Sequence, residues 1–160
     1  MEKPEIICVD DEREVLAALK RDLAGFKDYC NLTYCESAEE AQEVLEDLDA
    51  EGRPVALIVC DHIMPGKNGV DFLIELNKDS RFARTKKLLL TGLATQQDTI
   101  QAINQAQLDR YIEKPWAAES LIQVMKVLLT EFVVGAGMDY SDAMEILDQQ
   151  TLYKFLRRQT

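Results

Sequence analysis

The sequence has little from which to build a metal site of nitrogen or sulfur ligands. It holds one histidine, His62, and four cysteines, Cys8, Cys30, Cys35 and Cys60, none of them in a C-x-x-C pair. The ligand spacings of zinc sites are therefore missing. Cys8 and Cys60 stand inside apolar runs and read as small buried hydrophobes; no structural disulfide is expected. Long apolar runs are scarce as well. The stretches from Ala56 to Cys60 and from Leu121 to Leu129 are short or interrupted, well below the roughly 20 apolar residues of a membrane span. The start, Met1-Glu2-Lys3-Pro4-Glu5, has no basic region followed by an apolar stretch, so no secretory signal is read and cytoplasmic residence is expected. Basic charge is in deficit: 18 Lys and Arg against 29 Asp and Glu give a net charge of −11. Phosphate backbones and anionic lipid would repel such a surface. Neither nucleic acid nor membrane is an expected direct partner, and output is expected through a partner protein or a fused output domain.

What the chain does have is an alternating pattern. Its 160 residues, 47% of them hydrophobic, suffice for one packed domain and a modest appendage. Short apolar runs at Glu5–Val9, Asn31–Glu36, Val55–Cys60, Lys87–Thr91 and Arg110–Glu113 read as strands. Three of them are almost continuously apolar, as strands buried on both faces of a parallel sheet are. Between them lie helical periodicities: Leu16, Leu19 and Leu23; Ala41, Leu45 and Leu48, after Ser37 and Glu40 in capping-box spacing; Leu73 and Leu76; Ile100 and Ile103; Leu121, Met125, Leu128 and Phe132. Five strands alternating with five helices predict right-handed βαβ units. The fold class is α/β, a doubly wound five-stranded parallel sheet of order 2-1-3-4-5 with helices on both faces.

Gly135 and Gly137 interrupt the fifth helix, and a further helix is predicted from Ser141 to Arg158, acidic at its start and basic at its end. The boundaries expected are 1–133 for the main domain and 134–160 for a helical extension or linker. The extension could pack on its own domain, serve as a dimer or partner-binding helix, or begin a linker to an output domain. Its apolar stripe favours docking over a free linker.

In an open α/β sheet, ligands sit at the carboxyl ends of the strands. The first strand ends in Asp10-Asp11, the third in Asp61, the fourth in Thr91 and the fifth in Glu113-Lys114-Pro115. Taken singly, an aspartate after a strand is commonly a helix cap, and a lone threonine or lysine there means little. Taken together, in the expected sheet order, these polar ends converge. Three carboxylates in one pocket repel each other and call for a cation. All-oxygen ligation by few side chains favours Mg2+, with Mn2+ as the alternative. With the ammonium of Lys114 and the hydroxyl of Thr91 beside them, one carboxylate could attack phosphorus while the other groups neutralise the transferring phosphoryl oxygens. Asp61 is the strongest nucleophile candidate, because it follows Ala56-Leu57-Ile58-Val59-Cys60 directly and its charge there needs a partner.

These residues resemble the receiver domains of two-component response regulators. Asp10-Asp11 is similar to the family's acidic pair. Asp61-His62-Ile63-Met64-Pro65-Gly66-Lys67-Asn68-Gly69 is similar to D-x-x-M-P-x-x-x-G around its phosphoacceptor. Thr91-Gly92 and Lys114-Pro115 match its remaining motifs, and the resemblance spans residues 5 to 133. It implies that Asp61 accepts a phosphoryl group from the phosphohistidine of a sensor histidine kinase or a phosphotransfer protein. It also implies that Asp11, Asp61 and the backbone carbonyl of Ile63 ligate Mg2+, with Asp10 acting nearby and partly through water. Thr91 and Lys114 would contact phosphoryl oxygens, Lys114–Pro115 would be cis, and Tyr111 would be a rotameric switch that turns inward as Thr91 moves. The surface of the fourth helix, fifth strand and fifth helix would then change. On this reading the chain is not an enzyme beyond its own phosphotransfer and slow autodephosphorylation. Trp116 is expected to pack or to meet a partner; His62 could tune phosphoryl access or dephosphorylation, but is expected to be a solvent-facing loop residue. Two alternatives stay open: an aspartyl-phosphate phosphatase of the haloacid dehalogenase type, although that family wants D-x-D where this chain has Asp10-Asp11-Glu12, and a pseudo-receiver scaffold that is never phosphorylated.

Overall fold

The computed structural model describes residues 2–93 and 96–158. Five parallel strands, β1 (Glu5–Val9), β2 (Asn31–Cys35), β3 (Val55–Asp61), β4 (Lys86–Thr91) and β5 (Arg110–Glu113), form one sheet in the order β2-β1-β3-β4-β5. This is the predicted order. All residues of β1 and β3 are buried, as their unbroken apolar sequences require of strands covered on both sides.

The pleat sends alternate residues to opposite faces. On one face Ile6, Cys8, Leu57, Val59, Leu88 and Leu90 meet α1 (Arg13–Asp22) and α5 (Ala118–Gly135). On the other, Ile7, Val9, Ile58, Cys60 and Leu89 meet α2 (Ala38–Ala50), α3 (Gly69–Lys78) and α4 (Gln97–Ala106). Helices α1, α2, α3 and α5 contribute the apolar stripes read from their sequences; α4 contributes Ile103, whereas Ile100, read with it as part of the stripe, is exposed. Ser37 caps α2 by accepting from the Glu40 amide at 3.1 Å. The reciprocal bond of the capping box shifts by one residue, so that Glu40 accepts from the amide of Glu36 at 2.9 Å. The four cysteines are free and buried. Burial pushes the thiols of Cys30 and Cys35 up to about 12, and those of Cys8 and Cys60 higher still.

The carboxyl-terminal segment departs from the single helix expected over Ser141–Arg158. It forms a 3₁₀ turn at Ser141–Ile146 and a separate helix, α6 (Gln149–Arg158). The break lies at Leu147, which is extended, and at Asp148. The Asp148 amide donates to Thr130 Oγ1 of α5 at 2.8 Å, and its carboxylate accepts from the Thr151 amide at 3.0 Å. A bond to α5 thus fixes the point where α6 starts. Ile146, Leu147 and Leu152 are buried, the first two within the α1/α5 core, and Tyr29 Oη donates to Glu145 at 2.7 Å. Of the three readings of the extension, packing on its own domain is the one these contacts support. No helix among the described residues is long and apolar enough to cross a membrane.

Candidate functional site

The parallel sheet brings the ends of β1, β3 and β5 to one rim. Asp10 follows β1 and is fully buried. One carboxylate oxygen accepts from the Glu12 amide at 2.9 Å, which fixes the turn into α1; the other accepts from Lys114 Nζ at 3.0 Å. Asp61, the last residue of β3, is 5% exposed and accepts from the same Lys114 Nζ at 2.6 Å. Asp11 is exposed beside them. The three aspartates offer carboxylate oxygens that all lie within 4.8 Å of one another. Residues distant in sequence therefore meet at the ends of β1, β3 and β5.

Electrostatics follow from that crowding. Burial raises the Asp61 carboxyl above the usual carboxylate range; the Lys114 hydrogen bond opposes this, while Asp10 and Asp11 add to it by repulsion. For Lys114, burial favours loss of the proton. The hydrogen bonds and charges of Asp61 and Asp10 outweigh it and hold the ammonium above its ordinary range. Three close carboxylates with one ammonium between two of them form an all-oxygen donor set with excess negative charge, which suits a hard divalent cation.

Lys114 is positioned by its backbone. The Lys114–Pro115 bond is cis, as the resemblance implied, and the Lys114 amide donates to the Thr91 carbonyl at 2.9 Å. The loop after Asp61 is held as closely. A Cβ at Gly69 would stand 1.9 Å from the Asp61 carbonyl oxygen, so only glycine allows α3 to start against the end of β3. Asn68 caps that start by accepting from the Asp71 amide at 2.9 Å. Ile63 lies in this loop with its side chain 59% exposed.

His62 corrects the expectation of a solvent-facing residue. It is buried, and its Nδ1 lies 3.0 Å from Thr91 Oγ1 in a hydrogen bond. Its amide donates to the Leu90 carbonyl at 3.0 Å and its carbonyl accepts from Gly69 at 2.7 Å, which directs the ring inward. Burial lowers the imidazole below its ordinary range. Thr91, at the end of β4, is also buried, and its hydroxyl accepts from the Leu93 amide at 3.0 Å. Tyr111 on β5 is 47% exposed and so stands outward. Trp116 is partly buried against the α1/α5 core and donates through Nε1 to Asp22 at 2.9 Å, a packing role.

The family described as "Response regulator receiver domain" matches residues 6–126. The hydrogenase transcriptional regulatory protein HoxA of Cupriavidus necator is 34% identical over 121 residues, covering 76% of this chain and 23% of HoxA. Response regulator MprA of Mycolicibacterium vanbaalenii is 33% identical over 143 residues, covering 89% of this chain and 58% of MprA. The chain thus spans from a quarter to somewhat over half the length of these relatives. Among solved structures, the signal receiver domain of an HD domain-containing protein from Pseudomonas fluorescens Pf-5 aligns with a TM-score of 0.71 at 25% identity, covering 83% of this chain and 99% of that one. A CheY-like receiver domain from Methanospirillum hungatei shares the fold with a TM-score of 0.70 at 23% identity, over 84% of this chain and 99% of that one.

Proposed function

Since the chain belongs to the response regulator receiver domain family, a phosphoacceptor signalling module of two-component systems, we propose that Asp61 is the residue that takes the phosphoryl group. The observation that carries this is Lys114 Nζ, bonded to both Asp10 and Asp61 with Asp11 alongside. Lys114 occupies one oxygen of Asp61 and leaves the other to attack. The attacking oxygen forms a bond to phosphorus as the bond from phosphorus to the donor's imidazole nitrogen breaks, and that nitrogen keeps the electron pair. Asp10, Asp11, Asp61 and the carbonyl of Ile63 are the groups that would hold Mg2+ or, as the alternative, Mn2+; when bound, the ion screens the carboxylates and the transferring oxygens. Lys114 and Thr91 meet those oxygens in the phosphorylated state.

The product adds roughly 1.5–2 negative charges at the rim. A state in which Thr91 and Lys114 both reach them is favoured over one in which they do not, so the population shifts. In this reading Tyr111 turns inward behind Thr91 and alters the α4–β5–α5 surface. The partner upstream is a sensor histidine kinase or phosphotransfer protein, and the one downstream is an output protein or a fused output domain. Residues 1–133 are the receiver unit, with 134–160 as an extension docked on its core, and the working location is the cytoplasm.

The test is incubation with Mg2+ and acetyl phosphate or beryllofluoride, followed by intact-mass measurement or fluorine NMR. One adduct per chain is expected, and Asp61→Asn abolishes it. Absence of an adduct in the wild-type chain would reject the reading in favour of a scaffold. Release of many phosphates per chain would reject it in favour of a phosphatase.

A further inference from the structure

The hydroxyl of Thr91 is already engaged. It has one hydrogen and two lone pairs. The Leu93 amide takes one lone pair at 3.0 Å, and His62 Nδ1 stands 3.0 Å away. An imidazole nitrogen opposite a hydroxyl either accepts the hydroxyl hydrogen or donates its own. Both groups are buried, and the backbone of His62 is tied at its amide and its carbonyl, so the Cα from which the ring projects is held beside Thr91.

We propose that His62 is a positioning residue that latches the switch in its resting state: neutral imidazole, with its hydrogen on Nε2, accepts the Thr91 hydroxyl hydrogen at Nδ1 and withholds it from the phosphoryl site. The proposal rests on the phosphoacceptor reading above. In the resting state the Thr91 hydrogen points at Nδ1. To donate to a phosphoryl oxygen, the hydroxyl must break that bond, and the cost of doing so sets how far the unphosphorylated population lies from the switched one. His62 touches neither phosphorus nor substrate; it acts through Thr91 alone.

The latch predicts its own double-mutant cycle. His62→Phe keeps a planar aromatic ring, somewhat larger, and removes the acceptor. It should bind beryllofluoride with Mg2+ about 2- to 10-fold tighter than wild type, the range expected of one net hydrogen bond. His62→Asn offers an amide oxygen near the Nδ1 position and should restore affinity close to wild type. In a Thr91→Val background the gain from His62→Phe should vanish, because no hydroxyl remains to be held. Nitrogen-15 NMR of the imidazole in the wild-type chain should show Nε2 protonated and Nδ1 bare. This measurement decides the matter even where His62→Phe does not fold.

Unchanged or weaker affinity in His62→Phe, a gain that persists in the Thr91→Val background, or a hydrogen on Nδ1 in the resting chain overturns the latch and leaves the phosphoacceptor reading standing. Failure of the wild-type chain to take up beryllofluoride overturns both.

Discussion

At Asp61 burial and repulsion act against a single hydrogen bond from Lys114. The folded carboxyl binds its proton more readily than the unfolded one, so its stability contribution has a definite sign. It is fully present below the ordinary carboxylate range of about 3.9 and is lost as pH climbs through the raised folded value. In metal-free buffer, Asp61→Asn, which cannot ionise, should therefore be more stable than the parent at about pH 7, and the gap should close as pH falls below about 4. Urea unfolding at the two pH values checks this; equal stability of both chains at neutral pH would contradict it. Adding Mg2+ should stabilise the parent at neutral pH more than the variant, because the ion relieves the same repulsion.

The same scale shows what could be read beforehand. Asp10 and Asp61 were legible because each ends an apolar strand, and Lys114 because it follows the short β5 with Pro115 after it; a parallel sheet sends all such ends to one rim. The inward turn of His62 was not. Its direction depends on two backbone bonds, to Leu90 and from Gly69, that join segments far apart in sequence, and no local periodicity encodes them.

Among the elements, the junction of β3 and α3 leaves no room for a side chain at Gly69. Gly69→Ala would drive a methyl into the Asp61 carbonyl. Relieving that overlap means moving either the helix start or the strand end, at a cost of about 1–3 kcal/mol. The variant should unfold at lower denaturant, and because the atoms displaced carry Asp61, it should also bind beryllofluoride more weakly. Stability unchanged within error would show that the junction has slack. Helices α1, α2, α3 and α5 were legible from their apolar stripes, whereas of the α4 pair only Ile103 is buried and Ile100 faces solvent. The split between the 3₁₀ turn and α6 was not legible, since it rests on the tertiary bond from Asp148 to Thr130, which competes with continuing the helix.

For the molecule as a whole, the extension changes what the core is. Ile146, Leu147 and Leu152 are buried, so the segment after α5 is part of the packed structure. Leu152→Ala should lower the unfolding free energy by about 2–5 kcal/mol while leaving the Asp61 adduct intact in the folded fraction. Equilibrium unfolding paired with mass measurement separates the two effects. Loss of less than about 0.5 kcal/mol, the level of a surface change, would mean that α6 is only loosely seated.

The buried thiols give the fold an internal clock. Each of the four cysteines is covered, and burial suppresses thiolate formation at every one of them, so alkylating reagents can reach sulfur only when the surrounding structure opens. Cys8 and Cys60 lie in the central strands, whereas Cys30 precedes the edge strand β2 and Cys35 ends it. The order in which a maleimide marks them should therefore run from the margin inward, and a cysteine engineered on the surface could carry a dye without removal of the native four.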